Sequence, residues 1–256
     1  MTKESYSQRQ QILMRRLIKL HTKPIYLALQ SQMKAAADYI RTLDTVRDIS
    51  VEHSPLNTEI EGAVIELYKD ASKMAKKNYM LVKRFGGASD FINRVLDYLK
   101  QFMLSKVVEP ISNTTSKIIN NIINQSISEG WGVEKTAKYL ETAPITKIRA
   151  RMIIRTESVR ATNFTQWMMA DDEVYQMEKS WISVEDRRTR TFAKTGGRAD
   201  HTHNGVDGET QDLKAVFSNG LQYPGDPNGT AADVINCRCT MSYRVKRDLN
   251  DRPIKK

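Results

Sequence analysis

The chain has 256 residues and carries 40 lysines and arginines against 30 aspartates and glutamates, a formal net charge of +10. This length favours one or two domains, and a hydrophobic fraction of 40% excludes a fully disordered chain. No run of 18 apolar residues occurs, and Met1 to Arg16 lack the apolar core of a signal peptide, so we expect no membrane span and synthesis in the cytoplasm. The basic excess indicates either an acidic partner, such as nucleic acid or a protein surface, or a protein that is basic without such a partner.

The first half of the chain has the apolar spacing of helices. Apolar residues from Leu13 to Leu43 recur at helical intervals, and Pro24 predicts a kink or break near His21–Pro24. Ser54-Pro55 predicts the start of a second helix, Gly86-Gly87 its end and Ser89 the cap of a third. Three more helices are predicted further on: Ile111 to Ser128, Val133 to Leu140, and Ile145 to about Ala170.

The character of the sequence changes after Asp171, where glycines cluster. Tyr175–Ser183 and Cys237–Val245 have the composition or alternation of strands. The predicted fold class is therefore α+β, with a mainly helical region at 1–140 and a small α+β domain at 141–247. The residues from Asp248 form a charged tail, 248–256, which we expect to be frayed.

The histidines and cysteines of this second region occur in two close pairs. Two of the four histidines stand as His201-Thr202-His203, and both cysteines stand as Cys237-Arg238-Cys239. In an extended segment, residues i and i+2 point to the same face, so each pair can present two ligands to one point. Two histidines and two cysteines match a tetrahedral structural zinc site. The alternatives are a buried pair of reduced cysteines beside a loop histidine, or a Cys237–Cys239 disulfide, which a reducing compartment disfavours.

A second group of polar residues lies on the long predicted helix. It comprises Arg155, Thr156, Glu157, Arg160 and Asn163. Thr156, Arg160 and Asn163 follow one another at i, i+4 and i+7 and so share one face of the helix. Such a face, when buried, ties a helix to neighbouring loops through hydrogen bonds, and we prefer this interpretation to a catalytic one.

Two loops carry the remaining candidates. Asp186 is followed by Arg187, Arg188 and Arg190, which could grip phosphate or form ion pairs within the loop. Pro224 to Gly229 has the composition of a double turn, in which Asp226 would stabilise the turn. Phosphate-binding glycine-rich loops, nucleophile elbows and metalloprotease helices do not occur in the sequence.

Taken in chain order, the motifs of residues 145–243 resemble the phage Mu protein F-like family of head morphogenesis proteins, also called minor capsid or minor head proteins. The Asn236-Cys237-Arg238-Cys239 ending is specific in combination with the motifs before it. Those motifs are Arg155-Thr156-Glu157, Arg160-Ala161-x-Asn163, Lys179-Ser180-Trp181, Asp186-x-x-x-Arg190, His203 with Gly208 five residues on, Phe217, and the turn Pro224-Gly225-Asp226-Pro227.

The resemblance implies a non-enzymatic role in assembling the head of a tailed bacteriophage. It implies a virion protein near the portal, with the portal protein and the major capsid or scaffold protein as partners, contact with packaged double-stranded DNA, and no membrane. The helical region 1–140 would dock on the portal or capsid. Residues expected to hold the domain together are Arg155, Thr156, Glu157, Asn163, Trp181, Asp186, Arg190, His203, Cys237 and Cys239.

Two other functions stay open at this point. One is a zinc-dependent enzyme, with His201, His203 and the cysteines on the metal and Glu209 or Asp226 as the base. The other is a free DNA-binding protein of the host cytoplasm, which would use its basic excess on phosphates. For these functions the relevant residues are Arg187, Arg188 and Arg190 for phosphate and the His/Cys pairs for zinc.

Overall fold

The computed structural model describes residues 3–46, 57–80, 88–143, 145–186, 189–191, 194 and 202–256. Helices predominate within these ranges and a small antiparallel sheet follows them, which confirms the predicted α+β class. The elements are α1 (Lys3–Arg41), α2 (Asn57–Met80), α3 (Ala88–Met103), a π-helical turn (Leu104–Val108), α4 (Glu109–Ser128), α5 (Val133–Thr142), α6 (Ile145–Asp171), β1 (Met177–Ile182), β2 (Thr210–Asp212), α7 (Ala231–Val234) and β3 (Thr240–Val245).

Of the kink or break predicted near Pro24, the break is wrong, because α1 continues through this residue from Lys3 to Arg41. The kink stays a prediction. A proline inside a helix leaves the carbonyl of the residue four positions earlier without its usual donor. Here that residue is Leu20, which is 53% exposed, so water can reach this part of the helix. Apolar side chains on both sides of Pro24, such as Leu17 and Ile25, are fully buried, and their burial favours one continuous helix.

The other helix predictions agree with the structure except at some ends. The helices α4, α5 and α6 begin and end within two residues of the positions that the apolar spacing predicts. Ser89 lies inside α3 rather than before it, so it is not the cap of this helix. The predicted start at Ser54-Pro55 and the predicted end at Gly86-Gly87 lie outside the described residues.

The chain divides into two compact units. The first unit comprises residues 1–20, 67–96 and 152–256, and the second comprises 21–66 and 97–151. The second unit has an apolar core in which Ile40, Ile119 and Ile123 are at most 1% exposed, and Ala137 and Leu140 of α5 pack against them. The domains predicted at 1–140 and 141–247 stay a prediction.

The sheet of the first unit has the order β2-β1-β3, and both pairings are antiparallel. Lys179 of the central strand β1 stands opposite Gln211 of β2 and Tyr243 of β3. The strands β1 and β3 correspond to the two predicted strands, although each is shorter than its predicted segment. β2 and α7 were not predicted, because three and four residues are too short to show a period.

The prediction that the charged tail is frayed is wrong. Ile254 accepts a backbone hydrogen bond from Gln176 at 2.9 Å and donates one to Lys246 at 3.0 Å. Lys255 also forms a bridge with Tyr175. These backbone bonds fix the tail beside the start of β1, and its charged side chains remain exposed.

Aromatic residues build the core that positions the site. Phe164 and Trp167 of α6 stack at 6.2 Å between ring centroids, and Tyr223 lies against both. Trp181 of β1 is fully buried and lies edge-to-face against Phe217 at 5.2 Å. Helix α6 and strand β1 therefore flank the long connections around β2 and α7.

In the described ranges, none of the helices combines the length and apolar character that a membrane crossing needs.

Candidate functional site

Three side chains that can ligate a metal meet in the interior of the first unit. The ligand atoms of His203, Cys237 and Cys239 all lie within 4.8 Å of one another. The His203 Nδ1 atom is 3.5 Å from Cys237 Sγ and 3.6 Å from Cys239 Sγ. All three residues are at most 3% exposed, and both cysteines are free thiols. The sequence groups these residues by type, and the structure brings His203 and the two cysteines together over more than 30 positions.

The two thiols of this His/Cys cluster have opposite acid–base properties. A hydrogen bond from Cys239 lowers the pKa of Cys237, and the positive charge of Arg190 acts in the same direction. The same hydrogen bond, together with burial, raises the pKa of Cys239 well above its ordinary value. The first proton therefore leaves Cys237, and the resulting thiolate is stabilised by the thiol beside it.

The loop that carries His203 is fixed from two sides. The backbone N–H of His203 donates to the carbonyl of Arg190 at 3.0 Å. The imidazole lies edge-to-face against the indole of Trp181, with 5.4 Å between ring centroids. Gly208, at φ +79°, returns the loop to β1, where its N–H donates to the carbonyl of Trp181 at 2.9 Å. Trp181 and Arg190 thus set the position of the histidine.

The loop that carries the cysteines is held by the amino-terminal half of α6. Asn236 adopts φ +58°, a left-handed conformation that asparagine tolerates better than most residues. Its N–H donates to Thr156 Oγ1 at 3.0 Å, and its side-chain oxygen accepts from Arg155 at 3.1 Å. The Arg155-Thr156 pair of α6 therefore fixes the backbone directly before Cys237.

Two arginines link the cysteine loop to the loop that follows β1. Arg238, between the cysteines, forms a two-fold ion pair with the carboxylate of Asp186, and one of its N···O distances is 2.6 Å. Arg190 donates to the carbonyl of Ile235 at 2.6 Å. Charged pairs of this kind, with planar geometry, define orientation as well as contributing energy. Asp186 and Arg190 thus orient the loop on which both sulfur atoms lie.

Asn163 joins α6 to the other side of the same loop and is fully buried. Its side-chain nitrogen donates to the carbonyls of Pro224 and Cys239, both at 3.1 Å. Its side-chain oxygen accepts from the hydroxyl of Thr240 at 3.0 Å. One amide therefore satisfies three buried groups in the turn and at the start of β3.

A buried ion pair lies one helical turn before Asn163. Arg160 donates to both oxygens of Glu157 at 3.0 Å and, through Nε, to the carbonyl of Gly225 at 2.8 Å. Tyr68 of α2 donates to Glu157 at 3.2 Å. Burial raises the pKa of Glu157, and the charge of Arg160 opposes this change. Each of the two buried charges therefore has an opposite charge and a further hydrogen bond, as buried charges require.

Lys179 is a buried cation on the central strand. Its Nζ donates to the carbonyl of Gln222 at 2.6 Å and lies 5.0 Å above the ring of Phe217. Burial lowers the pKa of Lys179 to about 8, and the charge of Asp226 opposes this effect. The lysine of the Lys179-Ser180-Trp181 motif therefore fixes the turn at 222–226 through its hydrogen bond to the carbonyl of Gln222.

The two carboxylates that a zinc enzyme would need as bases are engaged in turns. Asp226 accepts from the backbone N–H of Gln222 and of Asn228, both at 2.9 Å. Glu209 accepts from the N–H and the hydroxyl of Ser218 at 2.8 and 2.5 Å. The predicted role of Asp226, which is to stabilise the turn, agrees with this geometry. Neither acid is among the residues around the His/Cys cluster.

A small cavity of about 10 Å³ adjoins the cluster, a space of the order of one water-sized sphere. Its lining holds two arginines and, within the described residues, no carboxylate. Besides the three ligand candidates, the lining residues are Val184, Thr189, Arg190, Asn236 and Arg238. Such a cavity can hold an ion or a water molecule.

Some predicted residues have no described place. His201, Arg187 and Arg188 lie outside the described residues. Arg190, which was considered for phosphate, is half-buried and bonded to a carbonyl of the cysteine loop.

The sequence analysis missed two residues of this region. Arg238 appeared only within the Asn-Cys-Arg-Cys motif, and its position between two cysteines was the available signal. Tyr68 is 89 positions away from Glu157, its hydrogen-bond partner, and no local pattern connects them.

A family model described as phage Mu protein F like protein matches residues 117–242. The match begins within α4, upstream of the resemblance at 145–243, and includes the whole His/Cys cluster and its polar frame on α6. Comparisons with curated proteins and with solved structures give no match. The resemblance inferred from the motifs is thus confirmed, and over residues 117–242 the chain belongs to the phage Mu protein F-like family.

Proposed function

We propose that the protein is a minor head protein of a tailed bacteriophage that joins the particle at the portal vertex during head assembly. The family match over 117–242 carries this proposal, because this family suggests phage head morphogenesis. The geometry supports a structural role. The polar residues at the centre of the domain bind loops and one another.

The helical region 1–140 is our candidate for the surface that contacts the portal or the capsid lining. Helix α1 carries large apolar side chains that are at least 50% exposed, including Leu20, Leu27 and Tyr39. Such side chains can contribute to a protein interface when a partner covers them. The net charge of +10 would reduce repulsion between this protein and packaged DNA.

Quantitative mass spectrometry of phage particles tests the proposal. Purified DNA-filled heads and proheads of the phage that encodes the chain are compared, with the portal subunit as the internal standard. We expect the chain in both particles, at no more copies than the portal subunit. Particles from an amber mutant in its gene, complemented or not with the wild-type chain, give the matched control.

Cross-linking within the same particles distinguishes the portal from the other partners. We expect cross-links from lysines of region 1–140, such as Lys34 or Lys69, to the portal protein. Cross-links only to the major capsid protein would reject the portal contact and keep a head protein. Absence of the chain from both filled heads and proheads would reject the head role altogether.

A further inference from the structure

We propose that His203, Cys237 and Cys239 bind a zinc ion, and that this ion holds the loop after β1 to the loop before β3. The three side chains are those that zinc prefers, namely imidazole nitrogen and thiolate sulfur. They converge from two segments more than 30 residues apart and are buried together. The site is independent of the proposed function, since it depends only on these residues.

The two nitrogen–sulfur distances within the cluster are those of a tetrahedral site. Zinc–sulfur bonds of about 2.3 Å and zinc–nitrogen bonds of about 2.0 Å at tetrahedral angles place the two ligand atoms about 3.6 Å apart. The measured separations of His203 Nδ1 from the sulfur atoms of Cys237 and Cys239 are 3.5 and 3.6 Å. Both edges of the tetrahedron that involve the nitrogen are thus already set by the fold.

Hydrogen bonding alone explains this arrangement less well. A neutral imidazole has one acceptor nitrogen with a single lone pair, so it accepts one thiol proton. Two sulfur atoms stand at almost the same distance from Nδ1, and only one of them can donate to it. A shared cation satisfies both sulfur atoms and Nδ1 at once.

The charges around the cluster also suit a metal thiolate. Two thiolates and a neutral imidazole neutralise Zn²⁺, so the buried site carries no net charge. Arg190 and Arg238 line the same cavity as the two cysteines, so positive charge lies close to the thiolates that a metal would bind. Zinc binding must displace the thiol protons, so the affinity falls as the pH is lowered.

The surroundings assign this zinc a structural role. Hydrolytic zinc sites need an open position and a positioned acid or base. Within the described lining of the cavity there is no carboxylate, and the nearest candidates, Glu209 and Asp226, are bonded within turns. Three protein ligands leave one position for a water molecule or a further side chain, and the cavity has space for about one such group.

Metal analysis of the full chain tests the proposal. The protein is expressed with zinc in the medium, desalted, and analysed for metal by plasma mass spectrometry beside the variants C237S, C239S and H203N. We expect about one zinc per wild-type chain and at least a tenfold loss in each cysteine variant, because each removes a thiolate ligand. H21N is the matched control, since His21 is also buried but lies outside the cluster, and it should keep the wild-type content.

A measurement on the wild-type chain keeps the test valid if the variants fail to fold. Cobalt(II) is added to the metal-free protein, and the absorption spectrum is recorded. We expect sulfur-to-cobalt charge-transfer bands and the intense visible bands of tetrahedral cobalt. A wild-type chain that holds no zinc and gives no charge-transfer band would overturn the proposal. A folded C237S variant with the wild-type zinc content would also overturn it.

Discussion

Gly225 is the residue at which the turn after β2 comes closest to helix α6. Its φ of +86° is in the left-handed region, where residues other than glycine are strained. A Cβ atom at this position would stand 3.0 Å from Cα of Arg160, which is tighter than most such contacts in proteins. Gly225 also supplies the carbonyl that accepts from Arg160 Nε. Both the backbone angle and the lack of a side chain are therefore needed here.

We expect G225A to lower the free energy of unfolding by more than the strain of the backbone angle alone, which is about 1–2 kcal/mol. G220A is the matched control, because Gly220 has φ +76° but no described atom lies within 4 Å of its added Cβ. Urea unfolding followed by circular dichroism gives both values. Equal losses in the two variants would show that the contact with α6 contributes nothing.

Lys179 makes the stability of the first unit depend on pH. Its pKa is about 8 in the folded chain, against 10.5 without the effects of burial. Between these values the unfolded chain holds a proton that the folded chain has released, so the free energy of unfolding rises as the pH increases from 8 to 10.5. Below pH 8 both states are protonated, and this contribution no longer changes.

The variant K179M should lack this gain. From pH 7.5 to pH 9.5 we expect wild type to gain about 2 kcal/mol relative to K179M, because the two states differ by one proton over about 1.5 pH units. Other groups, including the thiols, titrate in both proteins and cancel in the comparison. Urea midpoints at the two pH values check this, and parallel pH curves for the two proteins would contradict a buried, charged Lys179.

At the scale of elements, α6 is the frame on which the site is assembled. Its side chains bind the Asn236 loop, the Gly225 turn and Thr240, the first residue of β3. Loops depend on such side-chain bonds because their backbone groups lack ladder partners. The polar side chains of α6 thus supply these segments with the hydrogen-bond partners that a neighbouring strand would otherwise supply.

N163A tests the frame. Removal of this amide leaves the carbonyls of Pro224 and Cys239 without their donor, and we expect a loss of about 2–4 kcal/mol in unfolding free energy. T162V is the matched control on the same helix, because the Thr162 hydroxyl is buried without a hydrogen-bond partner among the described residues. It should cost less than about 1 kcal/mol. Similar losses in thermal or urea unfolding of both variants would refute the bonding role of Asn163.

At the scale of the whole molecule, the excess of positive charge leads to a prediction about DNA. A net charge of +10 favours binding to phosphates without sequence preference. We expect the affinity for duplex DNA to fall linearly with salt on logarithmic axes, equally for two unrelated sequences. Fluorescence anisotropy over a series of salt concentrations measures this. A salt-insensitive affinity, or no binding at low salt, would exclude phosphate contact.

Paired charge variants locate the contact. R187A/R188A removes the two arginines that the sequence indicates for phosphate, and K117A/K138A removes the same charge from exposed positions elsewhere. If the arginines grip phosphate, the first variant should have the smaller salt slope and the lower affinity. Equal effects would mean that only the total charge matters.

Much of the fold could be predicted from the sequence, for physical reasons. Helix α4 buries one face over about five turns, so its apolar period is repeated often enough to be recognised. The strands β1 and β3 contain Trp181, Met241 and other residues typical of strands. By contrast, β2 has three residues and no inward pattern, and the tail is paired through backbone groups that the sequence does not reveal.

The candidate site was predictable by residue type and less so by contact. The sequence grouped His203 with the two cysteines through their ligand chemistry. It could not show that Arg238 pairs with Asp186 or that Tyr68 reaches Glu157, because these partners are 52 and 89 positions apart. Such pairs arise from the tertiary fold, which local periodicity does not encode.

The order of the sheet has a consequence for how the protein is made. β1 is the central strand, but its partners β2 and β3 come about 30 and 60 residues later in the chain, and both cysteines directly precede β3. A ribosome therefore produces the middle of the sheet long before its six-residue partner strand exists. A nascent chain that stalls before Thr240 presents β1 with an open edge, the kind of surface that aggregates or recruits chaperones and proteases. The sheet can therefore be completed only after Thr240–Val245 has been translated.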